Sequence, residues 1–121
     1  KGKRVLLMGV AYRQEVGDTR YSPSQTFVEE MRRRGAVVLA HDPLVTDWPE
    51  LQMSVSSELP PSSSVDAIVF AVPHRAYREL DLAAWLKGGR PLVLDANAVL
   101  TAPQRQAVKD AGCALHAIGE G

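Results

Sequence analysis

The sequence predicts an α/β fold, a doubly wound three-layer domain with a mostly parallel sheet, occupying residues 1–121 as one unit. Three observations predict it. Apolar runs such as Val5 to Val10 and Asp66 to Val72 are continuous rather than alternating, which suits strands buried on both faces. Capped amphipathic segments separate those runs, so strand and helix alternate along the chain. No repeat and no internal boundary divides the 121 residues, a length that supports one sizeable core.

Val5 to Val10 is the first strand, and the polar, aperiodic stretch Ala11 to Tyr21 is a loop. Ser22-Pro23-Ser24-Gln25 then opens a helix, with Ser22 as N-cap, Pro23 as first helical residue and Gln25 as capping-box partner. That helix runs to Arg34 and stops at Gly35, a left-handed C-cap, with Phe27, Val28 and Met31 as its buried stripe. Ala36 to Ala40 is the second strand, ended by His41-Asp42-Pro43. Residues 44–64, with Pro49, Pro60, Pro61 and Ser62-Ser63-Ser64, are expected to be irregular and the least ordered, with a short edge strand at Gln52 to Val55. Asp66 to Val72 is the third strong strand. Arg75 to Leu80 and Leu82 to Lys87 are short helices, with Asp81 capping the second and Gly88-Gly89 ending it. Pro91 to Leu94 is a strand closed by Asp95. Thr101-Ala102-Pro103-Gln104 starts the last helix, which ends at Gly112 before a final strand, Ala114 to Ile118.

Composition excludes several classes of function. Lys plus Arg number 14, as do Asp plus Glu, so the formal net charge is zero. Nucleic acid and anionic membranes call for a basic surplus, so neither is expected as a partner. No apolar run has the length of a membrane span. Val5 to Val10 is too short for a signal-peptide core after the basic Lys1 to Arg4, and the single cysteine, Cys113, allows no internal disulfide; a cytoplasmic setting is expected. The chain opens without Met and enters a strand almost at once, as expected of a piece of a longer protein. No close His/Asp/Glu cluster exists, so no metal is expected.

In open sheets of this kind, ligands bind beyond the carboxyl ends of the strands, where strand order reverses. The residues to examine are therefore Ala11 to Arg20, His41-Asp42, Pro73-His74 and Asp95 to Asn97. After the first strand a dinucleotide fold would carry G-x-G-x-x-G; here Ala11 replaces the second glycine and the loop is longer. A side chain at position 11 hinders close backbone approach to a pyrophosphate, so ordinary dinucleotide binding is not expected. The loop instead supplies Arg13 and Arg20, whose planar forks suit phosphate or carboxylate, although solvated loop arginines would look the same.

The string GVAYRQEVGDTRYSP is similar to the opening of the C-terminal domain of the UDP-glucose/GDP-mannose dehydrogenase family, G-x-A-[FY]-K followed by D-x-R-x-S-P. Gly9, Ala11, Tyr12, Asp18, Arg20, Ser22 and Pro23 match it. His41-Asp42-Pro43 resembles the family's Y-D-P, Asp66-Ala67-Ile68-Val69 its D-A-V-V, and Tyr77 to Asp81 its F-x-x-L-D. Asp95 to Leu100 resembles D-x-R-x-V-L, and the resemblance runs in order along nearly the whole chain. It implies a Rossmann-like nucleotide-sugar-binding domain of an NAD-dependent enzyme that oxidises the sugar C6 alcohol of a UDP- or GDP-sugar to a carboxylate. It further implies that NAD and a catalytic cysteine lie in preceding parts of the same chain, an N-terminal and a central domain, and that the whole protein is a homodimer. Tyr12, Arg13 and Asn97 would then face the substrate, Arg20 would reach NAD, and no catalytic residue would lie in this chain. Arg13 stands where the family usually has Lys, and Asn97 where it usually has Arg; the second change removes a cation from the sugar-nucleotide site. A fragment of this extent is expected to be inactive alone.

Other residues have plainer readings. Cys113 beside Gly112 reads as a half-buried structural thiol, His74 as a structural or solvated loop residue, and His41 and His116 as structural. Asp42 and Asp95 end strands and read as loop anchors or ligand acceptors. Arg32 to Arg34 reads as a solvated helix end favoured by the dipole, and Trp48 and Trp85 as packing residues. The rival to the enzyme reading is a stand-alone ligand-binding or regulatory module on a similar sheet.

Overall fold

The computed structural model describes residues 2–10, 24–45, 47, 48, 51, 53–56, 58–72, 74–87, 89–96 and 98–117. Five strands form one sheet: β1 (Arg4–Met8), β2 (Val37–His41), β5 (Ala67–Phe70), β6 (Leu92–Asp95) and β7 (Leu115–Ala117). Their order is β2-β1-β5-β6-β7, and every neighbouring pair is parallel. The predicted doubly wound α/β class is therefore the observed one. A separate two-stranded antiparallel ribbon joins β3 (Asp47–Trp48) to β4 (Met53–Ser54).

The helices are α1 (Ser24–Arg33), α2 (Arg75–Arg78), α3 (Leu82–Trp85) and α4 (Ala102–Asp110). No helix among the described residues is long and apolar enough to cross a membrane. Alternation along β1 sorts two cores. Leu6 and Met8 join Ile68, Phe70, Tyr77, Leu82 and Val108 on the side of α2–α4. Val5 and Leu7 join Val28, Ala40, Trp48 and Val69 on the side of α1. A strand needed by both layers must be apolar at every position, which is why its sequence shows no alternation.

Helix ends follow the local signals. At Gly35 (φ 88°) the amide of Ala36 bonds Met31 O, and that of Gly35 bonds Arg32 O, a Schellman closure that only a residue tolerant of positive φ completes without strain. Thr101 and Gln104 form the expected capping box on α4, and Asp81 accepts the Ala84 amide at α3. The helix start proposed at Ser22 lies outside the described residues, and the two middle helices end at Arg78 and Trp85, short of the expected Leu80 and Lys87.

The stretch 44–64 departs most from expectation. Val45, Trp48, Leu51 and Val55 are buried in the α1-side core, and Trp85 Nε1 donates to Pro60 O at 2.9 Å, tying the stretch to α3. Proline and serine content describes backbone regularity; the four apolar side chains decide packing, and they replace the helix that would otherwise cover this face. Met53–Ser54 pairs within the ribbon rather than edging the main sheet, which gains one parallel bridge from Ser56 to His41.

Candidate functional site

Strand order reverses between β1 and β5: the chain leaves β1 for β2 on one side and returns to β5 on the other. The crossovers diverge there, so the crevice lies over the carboxyl ends of those strands. Gly9 ends β1 with φ 105°, and its amide bonds His41 O at 2.7 Å. A Cβ on Gly9 would lie 2.6 Å from Val72 Cβ and 2.9 Å from Val72 N. The exit of β5 thus lies directly against Gly9, where any side chain would clash.

Beside Gly9, the exits of three strands meet on one carboxylate. Asp42 is fully buried; its Oδ2 accepts from Val10 N at 2.9 Å and from His74 Nε2 at 3.0 Å, and its Oδ1 accepts from Leu44 N at 2.8 Å. Burial by itself raises a carboxyl pKa. Here the hydrogen bonds from His74, Leu44 and Val10, with the charge of His74, outweigh it and hold Asp42 below the ordinary carboxylate range. Asp42 is therefore an anchor in the ionised form, one of the two roles its position allowed.

Tyr77 of α2 closes the cluster. Its hydroxyl donates to His41 O at 2.9 Å and lies 2.8 Å from His41 Nδ1. A phenol has one proton to give, so Nδ1 of His41 carries its own and donates back. Burial first, then the Asp42 charge, push the Tyr77 phenol far up and keep it neutral. Gln104 Nε2 donates to Tyr77 O at 2.6 Å, linking this seam to α4.

A second corner stands at the end of β6. Asp95, also fully buried, accepts from Val99 N at 2.8 Å, Leu100 N at 3.0 Å and Arg105 Nη2 at 3.0 Å. Between them Ala98 takes φ 51°, and its carbonyl accepts from Arg78 Nη2 at 3.0 Å. A left-handed alanine is strained by about 1–2 kcal/mol, more than the entropy a glycine loses on ordering. Ala98→Gly is accordingly expected to raise stability by about 0.5–1 kcal/mol. Urea unfolding of both forms measures this, and a drop in the midpoint would remove the strain reading.

Tyr12, Arg13, Arg20 and Asn97, the residues expected to face substrate and cofactor, all lie outside the described residues. What the structure shows is where their flanks sit: Val10 follows β1 and Asp95 ends β6, with β5 between those two strands. The pairing of Asp42 with His74 was not legible in the sequence, since 32 residues separate them and each looked like an isolated strand-end residue. Cys113 is buried against α4, more fully than expected, with its thiol pushed up by burial; it is a packing residue. His116 is exposed on β7, while His41 is buried. Arg33 and Arg34 pair with Glu30, and Arg32 reaches Leu51 O. A groove of about 600 Å³ runs along β2, lined by Leu6, Val38, Leu39, Val55 and Leu59 among others, and shares none of the strand-exit residues above.

Residues 6–102 match the model of the UDP-glucose/GDP-mannose dehydrogenase family, UDP binding domain. A comparison with curated proteins gives no match. Among solved structures, the chain is similar to an NDP-N-acetyl-D-galactosaminuronic acid dehydrogenase from Methanosarcina mazei Go1, with 28% identity and a TM-score of 0.85 over 99% of this chain. It is similar to a UDP-D-ManNAc dehydrogenase from Pyrococcus horikoshii at 25% identity and TM-score 0.76 over 98% of this chain. A UDP-N-acetyl-mannosamine dehydrogenase from S. aureus shares the fold at 19% identity and TM-score 0.64, over 84% of this chain and 24% of its own. This chain spans 25% and 26% of the lengths of the first two. With four-fifths of its residues covered by one family model, and with the strand-exit architecture in place, the chain belongs to the UDP-glucose/GDP-mannose dehydrogenase family.

Proposed function

We propose that this chain is the nucleotide-sugar-binding domain of an NAD-dependent oxidoreductase that converts the C6 alcohol of a UDP- or GDP-sugar to the uronate. The family match over residues 6–102 carries the reading. In it, Tyr12 and Arg13 face the sugar nucleotide from the segment after β1, and Asn97 does so from the segment after β6. Arg13 offers a bidentate fork to phosphate; Asn97 offers neutral hydrogen bonds where the family more often has a cation. Arg20 reaches NAD held by another part of the protein. Redox chemistry then belongs to the N-terminal and central domains, in a cytoplasmic homodimer. Both of the more similar dehydrogenases are named for N-acetylated sugars, so UDP-linked N-acetylhexosamines are the first substrates to assay.

Steady-state kinetics on the intact protein tests the assignment. Arg13→Ala is expected to raise KM for the sugar nucleotide, and Arg20→Lys to raise KM for NAD, each by the equivalent of about 1.5–3 kcal/mol, the scale of a charge-assisted hydrogen bond. The isolated 121-residue chain should form no NADH from either substrate. NADH formation by that chain, or equal impairment of both substrates by both variants, contradicts the division of roles.

A further inference from the structure

We propose that the buried Asp42–His74 pair is a positioning device that fixes where the ligand-facing segment leaves the sheet. The inference rests on the function proposed above and deepens it.

Through Met8, β1 is bonded on both sides: Gly9 N reaches His41 O at 2.7 Å, and Ala71 N reaches Met8 O at 2.9 Å. Beyond that point the neighbours diverge, because β1 and β5 flank the reversal of strand order. The next amide, Val10 N, is bonded not by a strand carbonyl but by Asp42 Oδ2, at 2.9 Å and out of contact with solvent. A carboxylate has replaced the ladder at the one residue from which Tyr12 and Arg13 are two and three positions away.

Among the described residues, that carboxylate is itself held from the exit of β2 and from the start of α2. Leu44 N fixes Oδ1, and His74 Nε2 donates to Oδ2, the oxygen that Val10 uses. His74 is fully buried at the N-terminal end of α2, its carbonyl accepting from Tyr77 N and Arg78 N. Its ring meets Tyr77 edge-on at 5.6 Å and 65°, and Tyr77 is pinned by His41 O and Gln104. The place of the Val10 amide is thus set by β2, α2 and α4 together. Reactions and binding that depend on aligned groups lose steeply when a group is misplaced by about 1 Å. Asp42 and His74 act through Val10, as positioning residues.

The test uses the intact protein with His74→Ala, His74→Gln and Asp42→Asn. His74→Ala is expected to raise KM for the UDP-sugar about tenfold with a smaller change in kcat, and to speed hydrogen exchange of the Val10 amide about tenfold. The tenfold is what remains after the change in global stability, read from exchange at Ile68–Phe70, is subtracted. His74→Gln, which returns a donor to Asp42, should recover both readouts, and Asp42→Asn should resemble His74→Ala. Exchange accelerated equally at Val10 and at Ile68–Phe70, an unchanged KM, or no recovery in His74→Gln overturns the proposal. If the wild-type protein takes no nucleotide sugar, the functional reading fails by itself, and the two exchange rates still decide whether the pair positions the segment.

Discussion

Gly9→Ala is expected to destabilise the domain by about 3–5 kcal/mol, a large share of the 5–15 kcal/mol that holds a typical domain folded. Two effects add. At φ 105° an L side chain is strained whatever the space around it. The new Cβ would also sit 2.6 Å from Val72 Cβ and 2.9 Å from Val72 N, atoms that cannot rotate away. Relief requires β1 and β5 to part at the point where the sheet is deepest. Val72→Ala in the same chain should give no rescue, because Cβ and N remain. Urea unfolding of the single and double variants measures this; a double variant restored to wild-type stability would show that the flexible end of Val72, not its backbone, is the obstacle.

Asp42→Ala is expected to destabilise by about 3–5 kcal/mol, the range seen when one partner of a buried pair is removed. The loss leaves Val10 N, Leu44 N and His74 Nε2 without the acceptor they share. Asp42→Asn, which keeps volume and one acceptor oxygen, should lose about half as much. The same carboxylate predicts a pH dependence. Its pKa is lower in the folded than in the unfolded state, so the unfolded state takes up its proton first as pH falls. Its contribution is present above about pH 4, the unfolded value, and disappears as pH drops through the folded value. Asp42→Ala should therefore flatten the acid limb of the stability curve and leave the neutral region displaced but parallel. An acid limb of unchanged slope would mean that Asp42 is not the group that titrates.

Legibility differed sharply between fold and site. β1 and β5 were visible as apolar runs, because a strand covered by helical layers on both faces admits few polar positions, whereas β7 carries exposed His116. Caps at Thr101–Gln104 and the left-handed Gly35 were equally visible, since both are local hydrogen-bond chemistry within a few residues. Trp48 was legible as a packing residue, but the burial of Val45, Leu51 and Val55 beside it was not, because proline and serine around them mask the fact that four apolar side chains suffice to seal a face. Nor was the role of His74: a histidine after a strand has the same sequence appearance whether it is solvated or fully buried against a carboxylate.

The sequence by itself determined the class of fold, the position of the crevice at the strand exits, and the family, through motifs that are short and contiguous. Tertiary structure alone decided that Gly9 lies against Val72 at the exit of β5, and that Asp42, His74, His41 and Tyr77 form one polar seam. The physical reason is range. Periodicity and capping are set by neighbours along the chain, whereas a buried carboxylate finds its partners 32 residues away, only after the sheet has brought three strand ends together.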